Sequence, residues 1–135
     1  MQEVTIIRDR SKINVDFVHA YLTQSYWAKG RTREKVLQSM ENSLCFGVFT
    51  GEEQIGFARL VTDSVVFAWL MDVFVIDGFK GRGIGTRLIE YILKQPEVQH
   101  VNGIGLRTND AHGLYEKFGF EKIVEPETWM LKKNE

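Results

Sequence analysis

Three alternate glycines, Gly81, Gly83 and Gly85, stand at the point where an apolar segment becomes a helical pattern, in the stretch VFVIDGFKGRGIGTRL over residues 73–88. Where a strand leads into a helix, the first helical turn has unpaired N–H groups, and glycine lets the preceding loop curl so that several of them point at one spot. The stretch therefore predicts a phosphate-binding turn, called here the glycine cradle (residues 81–86).

Two well-known phosphate motifs do not fit these letters. A P-loop needs G-x-x-x-x-G-K-[ST], but Gly78 leads five residues later to Gly83, and then to Ile84 and Gly85 instead of lysine and a hydroxyl. A dinucleotide fingerprint needs G-x-G-x-x-G, but Thr86 takes the last position. A plain tight turn accounts for one or two glycines, but not for three in alternation among cations.

Composition limits the classes of protein to which the chain can belong. Its 135 residues, 44% of them hydrophobic, predict one domain over residues 1–135. A net charge of -1 argues against nucleic acid or a membrane as partner. Cys45 is the single cysteine, and the three histidines lack metal-ligand spacing, so no disulfide and no metal are expected. No run is apolar enough for a signal peptide or a bilayer span, which predicts a cytoplasmic protein.

Hydrophobic periodicity predicts the order βαα-βββ-αβ-αβ-β. Ser11 and Asp110 are the expected N-caps of the first and last helices, and Gly119 the expected C′ residue of the last. Helices are expected at residues 15–25, 32–40, 85–94 and 110–117. Strands are expected at residues 4–8, 44–50, 54–62, 65–76, 101–107, 120–124 and 129–132. This order predicts an α/β fold with a mixed, mostly antiparallel sheet and one parallel crossover at the glycine cradle.

Two motifs in the second half of the chain resemble those of the GNAT superfamily, the acyl-CoA-dependent N-acyltransferases. Residues 75–85, VIDGFKGRGIG, resemble the family pattern V-x-[PD]-x-x-[QR]-G-x-G-[IVL]-[GA], with Lys80 where the family usually has Gln or Arg. Residues 111–120, AHGLYEKFGF, resemble the second pattern, a small residue followed by L-Y-x-[KR]-x-G-F. The resemblance implies a GNAT-like fold, in which strands 4 and 5 of the central sheet splay apart and helices flank the sheet.

The resemblance also implies acetyl-CoA as cosubstrate. Its pyrophosphate would lie on the N–H groups of the glycine cradle, and its pantetheine arm would bind backbone groups of residues 73–75. The family often has an asparagine seven residues before the motif tyrosine, a place held here by Thr108, with Asn109 one residue later. Residues with an implied cofactor role are Val73, Phe74, Val75, Lys80, Gly81, Arg82, Gly83, Ile84, Gly85, Thr86 and Asn109.

By the same resemblance, Tyr115 faces the CoA sulfur and acts as general acid, although a tyrosine on an amphipathic helix also packs against a sheet. Asp72 interrupts an apolar strand beside the expected thioester, where it is either the general base or a carboxylate satisfied by neighbouring N–H groups. The loop between the first two helices borders the acceptor site in the family. Residues with an implied acceptor role are Tyr26, Trp27, Arg31 and His112.

The implied function is transfer of an acetyl group from acetyl-CoA directly to a primary amine in a ternary complex. No cysteine lies in the motifs, so a covalent acyl-enzyme is not expected. The acceptor would be a small-molecule or peptide amine, and exposed strand edges make a homodimer one alternative for the assembly. The competing hypothesis is a non-catalytic acyl-CoA-binding or regulatory module that keeps the cradle without turnover.

Overall fold

The computed structural model describes residues 3–134, which form an α/β fold. Its strands are β1 (Val4–Ile7), β2 (Leu44–Thr50), β3 (Glu53–Thr62), β4 (Phe67–Val75) and β5 (Gly103–Gly105). Its α-helices are α1 (Val15–Leu22), α2 (Arg33–Glu41), α3 (Ile84–Leu93) and α4 (His112–Glu116). Short 3₁₀ turns occur at Arg10–Lys12, Asp77–Phe79, Pro96–Val98 and Pro126–Thr128.

The five strands form one sheet in the order β1-β2-β3-β4-β5. The first three pairings are antiparallel and the β4–β5 pairing is parallel, which confirms the predicted mixed sheet with one crossover. Helices cover both faces. One core packs the apolar face of α3 against the sheet, and the other packs α1 and α2 against the opposite face.

A β-bulge at Asp72 interrupts β4. Phe57 pairs with Phe74 and Arg59 with Met71, so one residue of β3 faces two residues of β4. Asp72 has a φ of 55°, a left-handed conformation that aspartate tolerates better than most side chains. The extra residue shifts the alternation of β4 by one position, so even-numbered residues face α3 before the bulge and odd-numbered residues face it afterwards. Ala68 and Leu70 before the bulge, and Val73 and Val75 after it, all pack in the core on the α3 side.

Strands β4 and β5 pair over three residues only, from Phe67↔Gly103 to Trp69↔Gly105. Beyond Trp69, the β4 edge that faces β5 has no strand partner among residues 3–134. This divergence confirms the splayed strands 4 and 5 of the predicted fold. It leaves open backbone groups along one edge of β4, immediately before the glycine cradle.

Several predicted boundaries and caps were wrong. Asn14, not Ser11, caps α1, because the Asn14 side chain accepts a hydrogen bond from the Phe17 N–H while Ser11 lies in a 3₁₀ turn. Ala111, not Asp110, takes the N-cap position of α4, with no side-chain cap, and the Ala111 N–H donates to the hydroxyl of Thr108. Gly119 follows α4 with a φ of 88°, in agreement with its predicted place, and the Thr32 side chain caps α2.

The two strands predicted at residues 120–124 and 129–132 are absent from the described residues. This part of the chain is exposed, with a 3₁₀ turn at Pro126–Thr128 between the predicted strands. Their β-favouring side chains are typical of strands, but a strand also needs a hydrogen-bonded neighbour, and β5 is only three residues long. Helix α4 also ends early, at Glu116.

The helices of residues 3–134 are all too short or too polar to cross a bilayer.

Candidate active site

A cavity of about 440 Å³ opens where β4 and β5 diverge. Three parts of the chain form its walls: the loop between α1 and α2, the middle of β4, and the segment from β5 into α4. Its lining residues are Tyr26, Trp27, Arg31, Trp69, Leu70, Met71, Asp72, Val73, Leu106, Arg107, Thr108, Asn109, Asp110, Ala111 and Tyr115. The cavity therefore exists because β5 pairs with β4 over so few residues.

Three side chains of the cavity lining, Trp27, Arg31 and Asp72, form a hydrogen-bonded group with Arg59 behind them. This group is called here the Asp72 cluster (Trp27, Arg31, Arg59 and Asp72). Trp27 Nε1 donates to Oδ1 of Asp72 at 3.0 Å. Arg31 Nη1 and Arg59 Nε both donate to Oδ2, at 2.8 and 2.9 Å. The Asp72 side chain is only 1% exposed, so two guanidinium groups and one indole surround a buried carboxylate.

The bulge explains how β4 supplies this carboxylate. Asp72 lies on the bulge, where an added residue turns its side chain toward Arg59 of β3. The α1–α2 loop is held by its own bonds: the hydroxyl of Ser25 donates to the Leu22 carbonyl and accepts from the Ala28 N–H. These contacts place Trp27 and Arg31 over the sheet.

Tyr115 of α4 lines the cavity and is buried, with 7% of its surface exposed. Burial away from water raises the pKa of Tyr115 to about 12, with smaller contributions from Tyr26 and Asp110. Its ring contacts Phe120 edge-on, at a centroid distance of 5.7 Å. The structure thus places a neutral phenol beside the β4 edge.

The glycine cradle forms the turn into α3 that the sequence predicts. Gly81 and Gly83 have φ values of 79° and 76°, and Gly83 is the N-cap. No side chain caps this end of α3 and no acidic residue stands in its first turn, so the amides of the first turn are free to bind an anion. A Cβ built on Gly83 meets no atom within 4 Å, so the space over the turn is open.

Other predicted cofactor residues lie beside the glycine cradle or in the cavity lining. Lys80 pairs with Asp77 at 2.9 Å, and Arg82 stacks over the Phe79 ring at 5.2 Å. Val73 and Asn109 line the cavity. Phe74 points to the opposite core, where it stacks on Tyr21 at 3.9 Å, so only its backbone can face a ligand on the β5 side.

Of the four predicted acceptor residues, the structure brings Tyr26, Trp27 and Arg31 together in the cavity wall. His112 lies apart from them: it is exposed at the start of α4 and is outside the cavity lining.

Arg59 and Arg107 belong to the site but were missed in the sequence. Arg59 interrupts the apolar strand β3 as Asp72 interrupts β4, and two opposite charges inside neighbouring apolar strands are a readable signal of a buried pair. Arg107 carries no such signal, because an exposed arginine after a short strand is ordinary.

Comparison with known proteins agrees with this geometry. A family model described as the acetyltransferase (GNAT) domain matches residues 41–122, more than half of the chain. The chain belongs to the GNAT acetyltransferase family. The match includes β4, the glycine cradle and Tyr115, and so covers both motifs that predicted the family.

Individual relatives extend the similarity beyond residues 41–122. A solved structure of a candidate GNAT-family acetyltransferase from Xanthomonas campestris pv. campestris is 35% identical, with a TM-score of 0.94, and the match covers 99% of this chain and 95% of that one. A candidate acetyltransferase of Gibberella zeae is 25% identical over 81% of this chain and 73% of its own length. An uncharacterised N-acetyltransferase of Gracilaria tenuistipitata var. liui is 30% identical over 75% of this chain, which spans 57% of that relative.

Proposed function

We propose that this GNAT protein is an N-acetyltransferase that transfers an acetyl group from acetyl-CoA directly to a primary amine in the β4–β5 cavity. One arrangement carries the proposal: the open β4 edge leads from the cavity, beside Tyr115, to the uncapped N-terminus of α3. This layout suits a long ligand with an acyl thioester at one end and phosphates at the other.

The residues present fit acetyl-CoA. Free amides at the glycine cradle suit a pyrophosphate, and the open space over Gly83 leaves room for it. The unpaired edge of β4 after Trp69 can hydrogen-bond a peptide-like pantetheine arm as an added strand would. A structural neighbour from Clostridium acetobutylicum, 13% identical with a TM-score of 0.72, was solved with acetyl-CoA, which supports the donor by analogy of fold.

Tyr115 is assigned as a hydrogen-bond donor to the thioester sulfur. A phenol with a pKa of about 12 is a weaker acid than a thiol of pKa about 8.5, so full proton transfer to the thiolate is unfavourable by roughly 5 kcal/mol. A neutral phenol still stabilises the thiolate as it forms, by donating a hydrogen bond. The high pKa keeps this donor protonated throughout the working pH range.

Asp72 is assigned a positioning role instead of the role of general base. Both of its oxygens already accept hydrogen bonds, and two of the three donors are guanidinium groups. An amine acceptor must still lose a proton, which costs roughly 4–5 kcal/mol at pH 7 for an amine of pKa 10.4. Asp110 is the other carboxylate of the cavity lining, and it is exposed to water that can carry the proton away.

The experiment that tests the donor is calorimetric titration with acetyl-CoA, with ATP and NAD as controls, on wild type and Gly83→Asp. The substitution adds a carboxylate in the space over the cradle and should abolish acetyl-CoA binding. Gly51→Asp is the matched control: Gly51 also has positive φ, at 58°, and open space, but it lies in the β2–β3 turn. Acetyl-CoA affinity retained in Gly83→Asp, or equal binding of ATP, would contradict the proposal.

Turnover is measured separately, as release of the CoA thiol with a panel of amines. Tyr115→Phe should lower kcat and leave the acetyl-CoA affinity unchanged. Tight acetyl-CoA binding without thiol release for any amine would instead favour a non-catalytic acyl-CoA-binding module.

A further inference from the structure

The Asp72 cluster carries an uncompensated positive charge. Arg31 and Arg59 share one carboxylate, so two cations face one anion in a wall that is mostly shielded from water. A buried charge without a partner is costly, so a site of this kind is stabilised by an anion from outside.

The surplus charge reaches the cavity at Arg31. The side chain of Arg59 is 9% exposed and turns inward, where its Nη atoms contact Ser43 and the sulfur of Met71. Arg31 is 18% exposed and lines the cavity. Of its five N–H donors, one is bonded to Asp72, and the described residues provide no further side-chain acceptor for the rest.

Arg31 is also held in place before any ligand arrives. Asp72 fixes its Nη1 at 2.8 Å, and the Arg31 N–H donates to the Ala28 carbonyl at 3.0 Å. A guanidinium held in this way keeps its remaining planar donors ready for a carboxylate, and less side-chain entropy is lost on binding.

We propose that Arg31 binds a carboxylate of the acceptor, so that the acceptor is an amine that also carries a carboxylate group, as an amino acid does. This inference rests on the proposed acetyltransferase function. A singly charged anion balances the surplus charge of the Asp72 cluster, whereas the exposed Arg107 and Asp110 of the cavity lining offset each other. A polyamine would bring a second cation against Arg31 and is disfavoured.

The test uses acceptors that differ only in the carboxylate. Straight-chain ω-amino acids with one to five methylene groups are compared with their carboxamides, alongside common α-amino acids and spermidine. Thiol release is followed at saturating acetyl-CoA, and acceptor binding to the CoA-loaded protein is measured by calorimetry. Charge-assisted hydrogen bonds predict that the best acid exceeds its amide in kcat/KM by roughly 10- to 100-fold.

Variants at Arg31 test whether this residue causes the preference for the acid over its amide. Arg31→Gln should remove the advantage of the acid over the amide, with acetyl-CoA affinity unchanged, and Arg31→Lys should restore part of it because the charge remains. Arg33→Gln is the control, because Arg33 is an exposed arginine two residues away that pairs with Asp16. It should keep the full preference. The acid–amide comparison on wild type stands even if Arg31→Gln does not fold.

The outcomes separate the two proposals. If the wild-type protein does not bind acetyl-CoA, the acetyltransferase function itself is contradicted. With acetyl-CoA bound, equal use of acids and amides, preferred use of spermidine, or no binding of any acid would overturn the carboxylate assignment alone. An acid preference that survives in Arg31→Gln would also overturn it.

Discussion

Replacement of Asp72 by asparagine tests whether this residue is a positioning anion or a base. Asparagine has nearly the same shape and tolerates a positive φ, so the bulge conformation itself is little disturbed. Its neutral amide, however, leaves Arg59 in the interior without a counter-charge, at a side-chain exposure of 9%. Removal of one partner from a buried ion pair costs about 3–5 kcal/mol.

This loss is large for a domain of this size, whose total stability is expected at about 5–15 kcal/mol. The melting temperature should fall by roughly 9–15 °C, at about 3 °C for each kcal/mol. Urea unfolding followed by tryptophan fluorescence gives the free energy directly. Trp27 should report the change as well, because it donates to Asp72.

Asp16→Asn provides the comparison. Asp16 also pairs with an arginine, at 2.6 Å from Arg33, but its side chain is 75% exposed and water screens the pair. This variant should melt as wild type does. If Asp72→Asn is equally harmless, the Asp72 cluster is not a buried ionic group and the argument for a surplus charge at Arg31 fails.

Kinetics of Asp72→Asn separate the two roles. Loss of a general base lowers kcat by about 10²–10⁴-fold and removes the acidic limb of the pH profile. Loss of a positioning anion should chiefly raise KM for the acceptor, because Arg31 and Trp27 lose their anchor, and should leave the acidic limb in place. A large loss in kcat with an unchanged KM would indicate that Asp72 is the general base and would contradict the positioning role.

Two further predictions follow from burial and close packing. Burial raises the pKa of Tyr115 to about 12, so about 2–3 kcal/mol of the free energy of unfolding is fully present below pH 10 and is lost as the pH rises to about 12. Tyr115→Phe should flatten this alkaline decline, measured by urea unfolding at several pH values. An unchanged dependence of the free energy of unfolding on pH would show that the phenol is not buried. Gly105→Ala would place a Cβ 2.5 Å from the ring of Trp69 and should lower the free energy of unfolding by about 1–3 kcal/mol. In the control, Gly103→Ala, the added Cβ meets no atom within 4 Å, so the loss should be far smaller. Equal stability of the two variants would mean that β5 does not lie against Trp69.

Much of the fold could be predicted because its signals are local. The apolar face of α3, the nearly continuous apolar runs of β2 and β3 and the alternation of β4 indicate where the core lies. The positive φ of Gly81 and Gly83 is a backbone demand that glycine meets best, so the turn before α3 is readable from the letters. Predictions failed where local propensity had no neighbour to support it, as in the two strands expected at residues 120–132.

The amino-acid sequence by itself determined the family, the glycine cradle and the presence of a carboxylate in the middle of β4. What that carboxylate does was decided only by tertiary structure. The bulge turns Asp72 toward Arg59, a residue 13 positions earlier, and toward Trp27 and Arg31, more than 40 positions earlier. Periodicity shows that a charge lies in an apolar strand, but its partners depend on register and loop placement, which no local pattern encodes. For the same reason, the charge of the β4–β5 cavity became visible only when three distant segments were brought together.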